Sequence, residues 1–371
     1  MRVLFLDPEQ YVDFENEAAN YEVRLPMLHS GAITAHADFV YQRIFNWHGP
    51  LVFHRFTLTE IDAFRPDVVV FLVGWYNQCP KIETLREIRS RGIAIFSVIF
   101  DSMRQPEEYE LALFEESDGF CIVNSFTNYC RYRHWAESRG EPKAVVFSAG
   151  HMVWTGFFKP METEKTRDVL ILGSLYRRRL TFTRELAKIL EPEGIRVEAL
   201  GGNFHDLPDT QVECGNPTDG PMSKLWLPWV DYRSAILSSR ICLCPTAADD
   251  RDVLNGKIFE FIASGVCTLT EWNPSIEMLA GQSGIGLYRA LDDCVDMIRR
   301  LMADEAARKA AAEGALAWYR RHFDPSRFWR TSLEATHARQ PIAAPVDFLE
   351  AKYQTERAKM APSPESLLSL F

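Results

Sequence analysis

Two stretches of the sequence combine glycine, hydroxyl and cationic residues in a way that suits a bound phosphate. The first, GSLYRRR at 173–179, follows a strand-like apolar run. A glycine and a hydroxyl between a parallel strand and a helix often mark an anion site, because backbone N–H groups and the helix dipole point there. Arginine in a first turn opposes that dipole, so three together indicate an anionic partner. We predict that Gly173, Ser174, Arg177 and Arg178 bind a diphosphate; a solvated basic helix start is the alternative.

The second stretch, DVLNGKIFEFIASG, spans 252–265. A helix is predicted to begin near its central glycine, which leaves backbone N–H groups unpaired beside Asn255. Lys257 then lies in the first turn, where it can neutralise a phosphate. Glu260 lies near the next turn, and its carboxylate can accept hydrogen bonds from both hydroxyls of a ribose. A surface position among apolar neighbours is the alternative for Glu260.

Other polar residues follow strand-like runs with weaker patterns. Gly201 and Asn203 come after the run 196–200, where paired glycines let a ligand approach the backbone, although a plain tight turn fits equally. Asp250 and Asp252 flank one arginine, and two such carboxylates can bind a divalent ion. So short a pattern also arises by chance in an acidic chain, and we predict no metal site there.

The first half of the chain offers candidates for a second substrate. Asp101 ends the run 94–100 and is predicted at the carboxyl edge of a parallel sheet, where ligand-binding residues collect, with a capping role as the alternative. The remaining candidates are His29, His36 and Asp38, in a segment that could form a loop and helix, and Gly150 and His151, just before a polar linker at 157–167.

The elements that must position these residues read as two consecutive α/β units. Apolar runs typical of buried parallel strands alternate with helical patterns on both sides of the polar linker. Such alternation predicts parallel sheets. We expect a first domain at 1–160, a second at 161–330 and a helical tail at 331–371. The predicted strands are 3–6, 68–73, 94–100, 120–123, 168–172, 196–200, 241–244 and 266–270.

Composition narrows the class of partner and the compartment. The chain has 371 residues, 47% of them hydrophobic, and a net charge of −10. An acidic balance argues against a nucleic acid polymer as partner. The eight cysteines form no CxxC pair and several lie in apolar runs, which favours buried free thiols. No stretch suits a signal peptide or a membrane span, so we predict a cytoplasmic protein.

The segment 257–265 and the strand after it resemble the donor-site signature of GT-B glycosyltransferases. The resemblance is closest to the CgeB-like (spore maturation protein B) group, which is related to the family 4 enzymes, and it extends from Ala144 to Phe328. Family 4 has two glutamates eight positions apart, and the earlier place here holds Asp252, a shorter acid. The matching residues are Lys257, Phe259, Glu260, Ala263 and Gly265.

This resemblance implies two Rossmann-like domains facing each other across a cleft, the first binding an acceptor and the second a nucleotide-sugar. It implies a hexosyltransferase that acts with retention on an unidentified acceptor hydroxyl, without a cofactor. Asp101, Lys257 and Glu260 are then the candidate catalytic residues. A sugar-nucleotide epimerase of the UDP-GlcNAc 2-epimerase type, a degenerate transferase that only binds, and a periplasmic-type binding protein remain as alternatives.

Overall fold

The chain folds into two compact α/β units. One comprises Met1–Met152 with Phe323–Phe371, and the other Val153–His322. This computed structural model describes residues 1–7, 23–73, 80–99, 107–123, 125–148, 150–173, 177–200, 229–245, 254–273, 275–277, 283–342 and 347–359. Each unit has its own parallel sheet, so the two Rossmann-like domains predicted from the alternating pattern are confirmed.

The sheet of the first unit has six strands, all parallel, in the order β2-β1-β3-β4-β5-β6. Every residue of β3 and β4 is buried, which explains why their sequences are unbroken apolar runs. The strands are β1 Arg2–Asp7, β2 Ala35–Val40, β3 Val68–Val73, β4 Ala94–Ile99, β5 Gly119–Ile122 and β6 Ala144–Phe147.

Helices connect these strands. The predicted helix between β3 and β4 is α3, and it stops before Gly92, whose φ of +83° suits glycine after a helix end. The long helix α2 is interrupted at Gly49, where φ is +76°. The helices are α1 Leu25–Leu28, α2 Tyr41–Phe64, α3 Ile82–Ser90, α4 Glu107–Glu116 and α5 Phe126–Ser138.

The sheet of the second unit has five parallel strands in the order β11-β10-β9-β7-β8. The strands are β7 Arg167–Leu172, β8 Val197–Leu200, β9 Ser239–Cys244, β10 Cys267–Glu271 and β11 Gly286–Tyr288. The helices are α6 Arg177–Leu190, α7 Trp229–Leu237, α8 Lys257–Ala263, α9 Leu291–Ala303 and α10 Glu305–His322. Inward-facing residues of β7, β8 and β9 share one core with α6 and α9.

The C-terminal segment belongs to the first unit, which corrects the predicted boundaries at 161–330 and 331–371. It forms α11 Pro325–His337 and α12 Asp347–Arg357. Trp329 and Leu333 are fully buried in the core beneath the first sheet. The chain crosses out of this unit at Met152 and returns at Phe323. The α11 pattern is amphipathic, and amphipathicity specifies a buried face without specifying the sheet that covers it.

The structure corrects two further expectations, on the polar stretch 157–167 and on the segment with His36 and Asp38. The polar stretch 157–167 belongs to the second unit from its first residue, and Phe158 within it is buried. The segment with His36 and Asp38 forms β2 rather than a helix, with both side chains exposed. All six cysteines that the structure describes are buried, as their apolar surroundings predicted.

Candidate donor site

The carboxyl edge of the second sheet has the layout of a ligand crevice. Strand β7 lies between β8 and β9: the connection from β7 leads to β8 on one side, and the next connection, from β8 to β9, crosses to the other side, so the strand order reverses between β7 and β9. In open α/β sheets, ligands bind outside the carboxyl ends of strands at such a switch point. Gly173 follows β7 there, and Pro245 follows β9.

Gly173 and Lys257 lie directly against each other. Gly173 has φ +109°, in the region that favours glycine. A Cβ atom on Gly173 would lie only 2.8 Å from Cε of Lys257 and 3.4 Å from Nζ. The fold thus brings the two predicted phosphate-binding stretches together, with the lysine chain crossing the end of β7.

Glu260 is buried in the second unit, which excludes the surface alternative. Only 2% of the residue is exposed, and its neighbours Phe259, Phe261 and Ile262 on α8 are buried as well. The hydroxyl of Tyr232 donates a hydrogen bond to Oε2 of Glu260. Burial raises the pKa of the Glu260 carboxyl, while the Lys257 ammonium and the Tyr232 hydrogen bond act in the opposite direction.

Asn255 helps to start the helix that carries these two residues. Its side-chain oxygen accepts a hydrogen bond from the backbone N–H of Lys257 at 3.1 Å, and its carbonyl accepts from the N–H of Ile258 at 3.2 Å. These bonds satisfy N–H groups that a helix start leaves unpaired. Asn255 thereby fixes the backbone position from which the Lys257 side chain extends.

The arginines of the first stretch have different surroundings. Arg178 is half exposed and forms an ion pair with Glu271 at the end of β10, with 2.5 Å between Nη2 and Oε1. Arg179 is buried, and its Nε donates to the carbonyl of Pro245 at 3.0 Å. Arg179 therefore joins α6 to the end of β9. Arg177 begins α6, and its side chain lies outside the described residues.

Several predicted site residues lie outside the described residues: Asp101, Ser174, Gly201, Asn203, Asp250 and Asp252. Their roles stay predictions. Within the described part of the chain, no group of three or more histidine, cysteine or acidic residues could hold a metal ion.

The histidine candidates of the first unit are dispersed. His29 and His36 are exposed. His151 is a core residue, stacked on Phe328 with 4.1 Å between ring centroids, and burial lowers its pKa to about 3. Its carbonyl accepts a hydrogen bond from Trp329 Nε1 at 3.0 Å. We conclude that His151 has a structural role.

Sequence reasoning missed two parts of this site. Neither Tyr232 nor Glu271 was predicted from the sequence. The helical stretch WVDYRSAIL places charged residues on both sides of Tyr232, so the sequence holds no clear signal for the first. The acid that ends the β10 strand pattern was the signal for the second, because it falls at the carboxyl edge of the sheet.

Part of the chain is similar to a known protein family. Residues 158–334, just under half of the chain, match the family model described as "Glycosyl transferase-like". This segment is therefore similar to that family. It contains Gly173, Lys257, Glu260 and Tyr232. No curated protein is a significant match to the sequence.

Solved structures share the fold over most of the chain. Sucrose-phosphate synthase of Thermosynechococcus elongatus has a TM-score of 0.57 at 8% identity, covering 97% of this chain and 100% of its own. HepE of Anabaena, in complex with UDP and glucose, has a TM-score of 0.59 at 11% identity, covering 91% and 99%. A Listeria monocytogenes protein assigned as a UDP-N-acetylglucosamine 2-epimerase has a TM-score of 0.54 at 10% sequence identity. The match covers 89% of this chain and 94% of the Listeria chain.

These likenesses establish the fold, which is that of GT-B glycosyltransferases: two Rossmann-like α/β domains with parallel sheets. Identities this low do not establish the substrate of this chain. Among the helices that the structure describes, none is long and apolar enough to cross a bilayer.

Proposed function

We propose that this protein is a glycosyltransferase that moves a hexose from a nucleoside-diphosphate sugar to an acceptor hydroxyl. The observation that supports this most directly is the buried Glu260 carboxylate one helical turn from Lys257, with the lysine chain lying across Gly173 at the switch point of the sheet. This arrangement lies inside the glycosyl transferase-like segment.

Each described group has a proposed task toward the donor. Lys257 neutralises the diphosphate as charge develops on the leaving group, together with the backbone at Gly173. Glu260 accepts hydrogen bonds from the ribose hydroxyls. Arg178 joins the diphosphate by exchanging or sharing its contact with Glu271. The proposed donor-binding set is completed by five further residues: Ser174, Arg177, Gly201, Asn203 and Asn255.

The proposed chemistry proceeds with retention of anomeric configuration, in keeping with the resemblance to family 4 enzymes. In this scheme the leaving phosphate takes the proton of the acceptor hydroxyl, so a separate base is not required. We assign the first unit to the acceptor, with Asp101 as the candidate residue that orients its hydroxyl. We propose no cofactor and no metal requirement.

Thermal unfolding with a panel of ligands tests the donor site. The panel is UDP, GDP, ADP and CMP with their common sugar conjugates, each with and without EDTA. A ligand that binds only the folded protein raises the melting temperature by mass action. UDP is the first choice, because HepE was crystallised with UDP and glucose. We expect one nucleotide to raise Tm regardless of EDTA, and the absence of any shift would count against the proposal.

An epimerase is the second candidate, favoured by the structural likeness to the Listeria protein. An epimerase would convert the nucleotide-sugar into its epimer without an acceptor. A transferase would release one nucleoside diphosphate for each acceptor molecule that is glycosylated. Incubating the stabilising nucleotide-sugar with and without a mixture of acceptor hydroxyl compounds separates the two. A protein that binds the nucleotide-sugar but catalyses neither its epimerisation nor the transfer of its sugar would be the degenerate transferase.

The contact between Gly173 and Lys257 leads to a specific prediction. Gly173→Ala should weaken binding of the stabilising nucleoside diphosphate about tenfold, because the new methyl group displaces the lysine chain from the phosphate. Gly194→Ala is the matched control, since Gly194 has φ +81° but open space around its Cβ position. Both substitutions should cost about 1 kcal/mol of stability from the left-handed backbone. Equal nucleotide affinity in the two variants, measured by calorimetry, would contradict the role of Lys257.

A further inference from the structure

Tyr232 connects the buried carboxylate to the segment where the chain enters the second unit. Its hydroxyl donates to Glu260, and its ring lies edge-on to Phe158, with 6.2 Å between centroids and an interplanar angle of 82°. Phe158 is itself buried. The next residue, Arg233, places its guanidinium 4.3 Å from the ring centroid of Phe157. The phenol of Tyr232 is therefore held both by its hydrogen bond to Glu260 and by its contact with the Phe158 ring.

The groups that face Glu260 come from three directions. Lys257 lies one turn earlier on α8, Tyr232 approaches from α7, and the buried Cys244 thiol lies at the end of β9. From α10, Tyr319 packs on Phe259, the neighbour of Glu260. Within the described part of the chain, Tyr232 is the side chain that donates a hydrogen bond to this carboxylate.

We propose that Tyr232 is a positioning residue that holds the Glu260 carboxylate, in its ionised form, in the orientation that accepts the ribose hydroxyls of the donor. This inference rests on the proposed function. A hydrogen bond to Oε2 fixes the plane of the carboxylate and leaves Oε1 for the ligand. The same bond favours the charged form over the neutral acid, so Tyr232 also sets the lowest pH at which the donor binds.

The substitution Tyr232→Phe removes the hydroxyl and keeps the ring against Phe158, so the packing is retained. Without the Tyr232 hydroxyl, the buried Glu260 carboxylate loses a hydrogen-bond donor that stabilises its charged form. The pKa of Glu260 should therefore rise further. Tyr288→Phe is the matched control. Tyr288 is a buried tyrosine of the same unit whose hydroxyl has no hydrogen-bond partner among the residues that the structure describes.

The first measurement is the affinity for UDP, or for whichever nucleoside diphosphate stabilises the protein, as a function of pH. We expect Tyr232→Phe to bind about tenfold more weakly at neutral pH. The decline in affinity on acidification should begin at higher pH in Tyr232→Phe than in the wild type, and Tyr288→Phe should follow the wild type. A 2′,3′-dideoxy nucleoside diphosphate should bind wild type and Tyr232→Phe equally, because it cannot use the carboxylate.

The second measurement needs no ligand. A carbon-13 NMR titration of the glutamate carboxyls, with the Glu260 signal assigned by its loss in Glu260→Gln, reports the ionisation of Glu260 in the free protein. We expect its midpoint to lie at higher pH in Tyr232→Phe than in the wild type and Tyr288→Phe. An unchanged midpoint would overturn the inference, whatever the ligand results.

The two measurements also separate this inference from the proposed function. If the wild type binds no nucleoside diphosphate, or binds one equally well after Glu260→Gln, the proposed function fails. If Glu260→Gln abolishes binding but Tyr232→Phe keeps wild-type affinity at every pH, the donor site stands and the positioning role of Tyr232 is rejected. Equal losses for UDP and its dideoxy analogue in Tyr232→Phe would likewise reject it.

Discussion

Glu260→Gln is expected to remove most of the donor affinity while leaving the protein at least as stable at neutral pH. Removing a charged hydrogen-bond acceptor from a buried site costs roughly 2–3 kcal/mol, which corresponds to a loss of roughly 30- to 150-fold in kcat/KM for the donor. The amide oxygen of glutamine can still accept the hydroxyl of Tyr232, so the local packing is kept. The measurement is kcat/KM for the nucleotide-sugar, with the Kd of the nucleoside diphosphate beside it.

The expected gain in stability follows from the sign of the pKa change. Burial raises the folded-state pKa of Glu260 above its unfolded value. The stabilising contribution of such a carboxyl is present below the unfolded pKa and is lost as pH rises through the folded pKa. Above that pH the wild type keeps a buried charge that the glutamine variant does not have. The Tm difference between variant and wild type should therefore increase as pH rises from the unfolded-state pKa of the carboxyl through its raised folded-state pKa.

A surface acid provides the control for this experiment. Glu313 on α10 is exposed, and Glu313→Gln should change neither kcat/KM nor the pH dependence of Tm. Wild-type kinetics in Glu260→Gln would remove the main support for the donor site. A Tm that falls in Glu260→Gln at every pH would show that the carboxylate is needed mainly for folding.

Trp329→Ala is expected to produce the largest loss of stability in the first unit. Trp329 is fully buried on α11, its ring lies 6.4 Å from that of Phe96 on β4, and its Nε1 donates to the carbonyl of His151. Truncation of a buried tryptophan costs about 3–5 kcal/mol from lost transfer energy and the cavity that remains. The carbonyl of His151 also loses its partner.

Urea unfolding followed by near-UV circular dichroism measures this effect, with the two units allowed to unfold in separate transitions. Arg330→Ala is the matched control, because Arg330 is the next residue on α11 and is exposed. A surface change of this kind should stay within about 0.5 kcal/mol. If Trp329→Ala lowered only the transition that nucleotide raises, α11 would stabilise the second unit instead, contrary to the packing described above.

The sequence by itself determined the fold class and most of the elements. Val68–Val73 was predicted with the bounds that β3 has, because a fully apolar run of this length has few alternative structures. The stretches around Gly173 and around Lys257 and Glu260 were also predicted as one site, since strand ends of a parallel sheet meet at one edge. The strand at Ala35–Val40 was missed, because its pattern mixes exposed polar residues with alanines at the sheet edge.

The tertiary structure alone decided which residues surround Glu260 and where the C-terminal helices pack. Tyr232 lies 28 positions before Glu260 in the sequence, and only the tertiary fold brings its hydroxyl to the carboxylate. Arg178 and Arg179 are neighbours in a basic run, yet one pairs with Glu271 and the other is buried against Pro245. In the same way, Trp329 follows a helix of the second unit but is buried in the first. A periodic pattern specifies that a face is buried, but the partner that buries it depends on contacts between residues far apart in the chain.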